Sequence, residues 1–292
     1  MKLTQRSGKR GRFEIGSGIK TLLTALAFFA FQCCSPLTVN PPAPALEEER
    51  VAALVSAFAA QERVAKTFFF SGTLTFNNRN SENAVQILLI TDATPRAGTD
   101  HWGGTGVCPY GRMKIEITHP WGKPLLHILI QGQRIRILDF NEKRIYGGSL
   151  KSKGLSRRIP VPLDPSILWS LARAFPALLK YREIASMAGD QFTFLDAMGN
   201  KVQHFELYSA EPLPREVCFC KQDATIVFSH FDDDDGILYA RRMSFRGPDH
   251  KVGLEIDIEQ MAFNAPLPEV VFAMEAPPDF KTVHLGKDHP EH

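Results

Sequence analysis

Two hydrophobic periodicities divide the chain, and their order predicts its architecture. Val51, Leu54, Val55 and Phe58, then Val64 or Ala65, recur every three or four residues, the spacing of one face of an α-helix. Glu47, Glu48 and Glu49 stand where a helix N-terminus favours acidic side chains, so the helix is predicted to start there and run to about Lys66. The period then drops to two. Phe68, Phe70, Gly72, Leu74 and Phe76 alternate with Phe69, Ser71, Thr73 and Thr75, as a strand does, and Val85 to Thr91 gives a second strand. Asp92 to Tyr110, rich in Gly, Thr and Pro, predicts a long loop. Arg112 to Thr118, Leu125 to Ile130, Arg134 to Asp139 and Arg144 to Tyr146 then read as a meander. Tight turns at His119 to Gly122, Gln131-Gly132 and Asn141-Glu142 join its strands.

Gly147 to Pro162 is basic and punctuated by proline, a loop. Asp164-Pro165 opens a second, short helix, with Asp as N-cap and Pro at the first helical position. It carries Ile167, Leu168, Leu171 and Phe175 and ends near Pro176. Strands resume at Gln191: Phe192 to Leu195, Val202 to Tyr208, Glu216 to Cys220, Thr225 to Phe231, Ile237 to Phe245 and Val252 to Phe263. The run Asp232 to Asp235 before Gly236 lacks the spaced ligands of a calcium loop and reads as a solvated hairpin turn. Asn264 to Pro278 is a Pro-rich exit segment, and residues 281–292, with His284, His289 and His292, are expected to be a disordered tail. The class is therefore mainly β with helices, one strongly curved antiparallel sheet whose concave face two helices cover. A greasy cavity fits between two such apolar surfaces. Alternation points Ile115, Ile117, Leu126, Ile128, Ile135 and Ile137 into it, beside Phe68 and Phe70 of the first strand.

The first 33 residues read differently. Six basic side chains, Lys2, Arg6, Lys9, Arg10, Arg12 and Lys20, precede the apolar run Leu22 to Phe31, and Cys33-Cys34-Ser35-Pro36 follows at once. That run is about ten residues long, where about 20 are needed to cross a bilayer, so a removed export signal is the better reading than a retained anchor helix. Ordinary signal cleavage lacks a small-x-small pair between Phe28 and Pro36. Cleavage before a cysteine that then carries acyl chains suits the segment better. Cys34 fits that role better than Cys33, which has the bulky Gln32 before it. Residues 34–45 then form a lipidated, Pro-rich tether and 46–280 the folded domain. Ser35 rather than Asp follows Cys34, which leans toward an outer-membrane lipoprotein facing the periplasm.

Charge narrows the partners. The full chain carries +2, but residues 1–33 hold six basic groups and one acidic, Glu14, so the remainder is about −3. A weakly acidic domain without a basic stripe argues against nucleic acid. Twenty-one Phe against five Tyr favour purely apolar aromatics, which fill cores and line lipid pockets equally well. Beyond the signal stand Cys108, Cys218 and Cys220. A bridge from Cys108 to either of the others, or three unpaired cysteines, both fit an export compartment, and the absence of two CxxC pairs argues against zinc. The nine histidines are scattered, with no HExxH, and there is no Gly-x-Ser-x-Gly elbow or phosphate loop. Gly103-Gly104-Thr105-Gly106 opens no helix. No enzyme, cofactor or metal site is expected.

The stretch Gly111 to Gly122, with its Arg-led alternating strand and His119-Pro120-Trp121-Gly122 turn, followed by Leu125 to Asp139, resembles the LolA/LolB family of periplasmic lipoprotein carriers and outer-membrane lipoprotein receptors. Ile159 to Leu163 leading into Ile167 to Leu171 is similar to the family's mid-chain helix, and Leu213-Pro214 and Asn264 to Phe272 to its C-terminal strands. The resemblance implies an unclosed antiparallel β-barrel capped by helices, whose cavity takes up acyl chains of a lipoprotein or lipid without covalent chemistry. It further implies that Pro120, Trp121 and Gly122 form a membrane-insertion turn, with the Trp121 indole suited to the water–lipid interface. Expected partners are acylated lipoprotein or lipid cargo, a periplasmic lipoprotein carrier, and the membrane through the lipid anchor. The alternative is an envelope-sensing or structural lipoprotein that grips a protein partner with the same sheet.

Overall fold

The computed structural model describes residues 45–78, 81–94, 111–150, 164–187, 189–209, 211–248 and 253–284. Helix α1 (Glu48–Val64) buries Val51, Leu54, Val55 and Phe58, the stripe its spacing predicts, together with Glu62. Strands β1 (Thr67–Asn78) and β2 (Ser81–Asp92) pair as a long hairpin. The meander follows as β3 (Arg112–Thr118), β4 (Pro124–Gln131), β5 (Arg134–Asp139) and β6 (Arg144–Ser149). Helix α2 (Pro165–Arg173) has Asp164 as its cap, accepting from the Ser166 backbone N–H at 2.9 Å. It stops at Ala174, whose φ of 53° is left-handed. Then come β7 (Glu183–Met187), β8 (Gln191–Leu195), β9 (Lys201–Leu207), β10 (Pro214–Phe219), β11 (Ala224–Asp234), β12 (Ile237–Arg246) and β13 (Gly253–Phe263). A short 3-10 helix (Glu269–Phe272) and strand β14 (Lys281–His284) complete the described chain.

All fourteen strands form one sheet in the order β14-β6-β5-β4-β3-β2-β1-β13-β12-β11-β10-β9-β8-β7. Among the described residues only the β14–β6 pair is parallel. Since β14 and β7 end the order, the sheet is curved but unclosed, as expected from the sequence. Its inner face divides by chemistry. On the β8–β12 side Phe192, Phe194, Phe205, Phe219, Phe228 and Phe245 are fully buried, and Phe58 of α1 meets Phe175 edge-on at 5.3 Å between ring centres. The excess of phenylalanine thus fills a solid core there. The β1–β4 side is mostly Ile, Leu and Met.

On the outer face of the sheet, the segment after β13 packs Phe272 and Met274 against Leu129 and Leu138. Arg112 ties this strap down. It donates to Asp92 at 2.9 Å and to Glu269 at 2.5 and 3.2 Å, and its guanidinium lies 4.0 Å from the Phe272 ring centre. Burial opposes ionisation of Asp92, but hydrogen bonds from Arg112 and Thr94 outweigh it and hold that carboxyl below its usual range.

Four expectations need correction. Residues 281–284, assigned to a disordered tail, are β14, because they hydrogen-bond to β6, a partner more than a hundred residues earlier that local pattern cannot reveal. Strand β7 was not expected, because Glu183–Met187 is a short edge strand with little alternation. Asp232, Asp233 and Asp234 extend β11 opposite Tyr239, Leu238 and Ile237. Only Asp235 and Gly236, both at positive φ, make the turn, as a two-residue hairpin loop requires. Finally β6 reaches Ser149, three residues beyond its expected end.

Gly72 permits a close approach between β1 and β13. It stands at a register shift between β1 and β13, and a Cβ there would lie 2.1 Å from the Asp257 carbonyl oxygen. Gly72→Ala should therefore cost about 1–3 kcal/mol, the usual range for overpacking. Urea unfolding measures this, and an unchanged midpoint would mean that β1 and β13 can part without penalty.

Candidate functional site

Side chains of one parity on neighbouring strands meet on one face, and β1 to β4 and β13 use this to enclose a cavity of about 90 Å³. Met113, Ile115 and Ile117 of β3 face Leu126, Ile128 and Ile130 of β4, with Ile115 opposite Ile128 and Ile117 opposite Leu126. Leu74 and Phe76 of β1, Ile87 and Leu89 of β2, and Leu254 and Ile256 of β13 extend the wall, and Leu168 and Leu171 of α2 close it. Every lining side chain is apolar. A polar group placed inside would lose its water without a partner.

The Ile117–Leu126 pair is the last inward pair before the chain turns at residues 119–123. In that turn the His119 N–H donates to the Lys123 carbonyl at 2.8 Å and the Gly122 N–H to the His119 carbonyl at 2.8 Å. Gly122 has φ +85°, which a side chain would resist. The turn lifts Trp121 into solvent at 74% exposure, stacked on His119 with ring centres 4.3 Å apart and planes 7° from parallel.

Of the residues expected in the cavity, Ile115, Ile117, Leu126 and Ile128 line it. Phe68, Phe70, Ile135 and Ile137 are buried but lie in the packed core beside it. Phe68 precedes the β1 bulge and meets Trp169 of α2 at 5.3 Å, so the indole fills the space at that end. Ile135 and Ile137 belong to β5, one strand beyond the wall. Leu74, Phe76, Ile87, Leu89, Leu254 and Ile256 were missed as lining, although the same alternation marks them. What selects them is which strands flank α2, a long-range fact. Pro120, Trp121 and Gly122 are together in one turn, while Cys33 and Cys34 lie outside the described residues.

Two charged groups are buried where the helices meet the sheet. Arg173, at the end of α2, is fully buried, and none of its three guanidinium nitrogens has a hydrogen-bond partner. Glu62 of α1 is 8% exposed and accepts from the Leu178 backbone N–H. Burial pushes the Glu62 carboxyl up to about 7 against the lowering field of Arg173, and burial lowers Arg173 to about 10 against that of Glu62. Arg173 also lies 5.0 Å from the Phe175 ring centre. Elsewhere the thiols of Cys218 and Cys220 are free and hydrogen-bonded to each other, which pulls Cys218 down to about 7 and pushes Cys220 up. Cys108 lies outside the described residues. Among the described residues no three His, Cys, Asp or Glu side chains could hold a metal ion together, and no helix is long and apolar enough to cross a membrane.

No protein-family model and no curated protein matches the chain. Among solved structures, it is similar to a DUF1329 family protein from Desulfovibrio piger, with TM-score 0.50 and 14% identity over 76% of this chain and 97% of that one. It is also similar to a LolA superfamily protein from Nitrosomonas europaea, with TM-score 0.44 and 12% identity over 76% and 97%. At such identities the likeness concerns the fold alone.

The buried Glu62 gives the site a pH signature. Its carboxyl holds a proton more tightly in the folded chain, near 7, than at the ordinary value of 4.5. Below about 4.5 both states are protonated and no penalty arises. As pH climbs toward 7 the unfolded chain ionises first, so this group's contribution to stability falls, by at most roughly 3 kcal/mol. Glu62→Gln should remove that fall. Urea unfolding of both proteins from pH 4 to 8 measures it, and parallel pH profiles would refute the burial of an ionisable carboxyl.

Proposed function

We propose that this protein is an envelope lipoprotein, anchored to the outer membrane through Cys34, which takes acyl chains of lipoproteins or lipids into the cavity and helps deliver them to the membrane. The observation that carries the reading is an all-apolar cavity ending at a turn that holds a tryptophan in solvent. Each buried methylene contributes about 0.8 kcal/mol, so a wall without polar atoms selects hydrocarbon and leaves the polar head outside. The exposed indole sits where a departing chain would meet the bilayer, and indoles favour that interface.

The cavity is small for this task. An apolar cavity of roughly 150 Å³ holds benzene, so about 90 Å³ takes only a few methylenes. A whole chain requires Leu168 and Leu171, and therefore α2, to move away from the sheet. The protein is then a binder whose site opens on loading, with a periplasmic carrier as the donor of cargo. No covalent step is involved.

Mass spectrometry of an organic extract of the purified protein should reveal acyl compounds, whereas a protein-gripping module would carry none. Cys34→Ala should leave unprocessed or soluble protein, since the attached chains supply the membrane affinity. If that variant resists high-salt washing of membranes, the anchor is an uncleaved helix. Trp121→Glu should change stability by no more than about 0.5 kcal/mol, as exposed substitutions do. It should still load an acylated peptide but transfer it to vesicles far more slowly, because a carboxylate is disfavoured at the interface. Unchanged transfer would remove the delivery role and leave a lipid-binding protein.

A further inference from the structure

The sheet's outer face carries a second cluster, remote in chemistry from the apolar cavity. Cys218 lies in β10 between Val217 and Phe219, both fully buried on the inner face, so its own side chain points outward. Cys220 follows two residues later, in the turn that begins where the strand ends, and its backbone N–H donates to the Val202 carbonyl at 3.1 Å. Both thiols are free and half-buried. The Cys220 thiol donates to the Cys218 carbonyl oxygen at 3.9 Å, which holds its sulfur against the Cys218 residue. Two soft donors thus stand two residues apart where a strand ends, the second sulfur held against the first residue's carbonyl, which costs little chain entropy to keep.

The surroundings decide what such a pair can hold. His204 stands opposite Cys218 on β9, but its Nδ1 is bound to the Thr193 hydroxyl at 2.8 Å. That hydroxyl donates its proton to the Met187 sulfur at 3.2 Å. Since no third metal-binding side chain converges among the described residues, a four-coordinate zinc site is not built here. Two sulfurs alone suit a soft ion content with two ligands. Thiolate donors select copper(I) among biological metals, and hard cations such as magnesium or calcium find no oxygen set.

We propose that Cys218 and Cys220 form a two-coordinate binding site for copper(I) on the outer face of β10. Binding exchanges the two thiol protons for one Cu⁺, with no change of oxidation state, and leaves a bis-thiolate complex of charge −1. The positive charge of Lys201 acts on Cys220 and offsets part of the complex's negative charge. The site is independent of the acyl-chain reading, since neither cysteine lines the cavity.

The test is an anaerobic titration of the reduced, full-length protein with copper(I) held by a chromophoric chelator. The wild type should withdraw one equivalent that Cys218→Ser and Cys220→Ser each lose and Cys108→Ser keeps. Thermal melts of the serine variants should match wild type, separating lost ligands from lost fold. X-ray absorption of the loaded protein should give sulfur-only coordination. No copper uptake, or an equivalent that survives in the Cys218→Ser, Cys220→Ser double variant, would overturn the proposal. So would an air-oxidised protein with a Cys218–Cys220 disulfide that takes up no copper after re-reduction, because the pair would then be a redox dithiol.

Discussion

The wedge of helix α2 inside the curved sheet is the constraint on which the rest of this structure depends. An unclosed sheet of fourteen strands has an inner face too large to bury against itself, and a short helix must fill what curvature leaves open. Every residue from Ser166 to Arg173 is buried, so α2 is not a cover with a wet side but part of the core. Its exit is held by polar bonds as well as packing. The Ser170 hydroxyl accepts the Ala177 N–H at 2.9 Å, and Gln203 of β9 donates to the Ala177 carbonyl at 2.8 Å and accepts the Leu179 N–H at 3.0 Å. The Ala240 N–H of β12 bonds the Ala174 carbonyl at 2.8 Å. These satisfy backbone groups that burial would otherwise strand.

The attachment is one-sided. Towards β9 and β12 the helix end and its exit are pinned by hydrogen bonds and embedded among phenylalanine rings. Towards β1 to β4 it meets apolar side chains without hydrogen bonds, the cavity walls through Leu168 and Leu171 and Phe68 through Trp169. Dispersion and hydrophobic contacts on that side are non-directional and can be exchanged for contacts with hydrocarbon, whereas hydrogen bonds on the other side cannot. The buried Arg173, with no hydrogen-bond partner of its own, adds a cost at the pinned end. A buried charge without hydrogen bonds is seldom repaid for its desolvation by a neighbouring opposite charge, so Arg173 lowers the stability of this region.

Most of the architecture was legible because alternation is a local signal and most of these strands are long and half-buried. The two helices were legible for the same reason, through the Val51–Phe58 stripe and the Asp164-Pro165 cap. What escaped notice is what depends on distant partners. Lys281–His284 has one aliphatic residue and becomes a strand only because β6 lies beside it. Glu183–Met187 pairs on one side only, with β8. Within the cavity, parity alone identified Ile115, Ile117, Leu126 and Ile128 but could not separate them from Ile135 and Ile137, which are equally alternating and buried more deeply. That distinction is set by where α2 crosses the sheet.

The same crossing links the cavity to the exposed turn. The walls that α2 leaves unfilled include strands β3 and β4, and the loop between those two strands is the one that carries Trp121. A chain seated between Ile117 and Leu126 would therefore lie next to the hairpin end that bears the indole, without any relay through the rest of the fold. The packed phenylalanine core lies on the side of the sheet without the cavity, and the cavity on the aliphatic side. This division follows from residue choice along the strands, aromatic on β8 to β12 and aliphatic on β2 to β4, rather than from any separate domain.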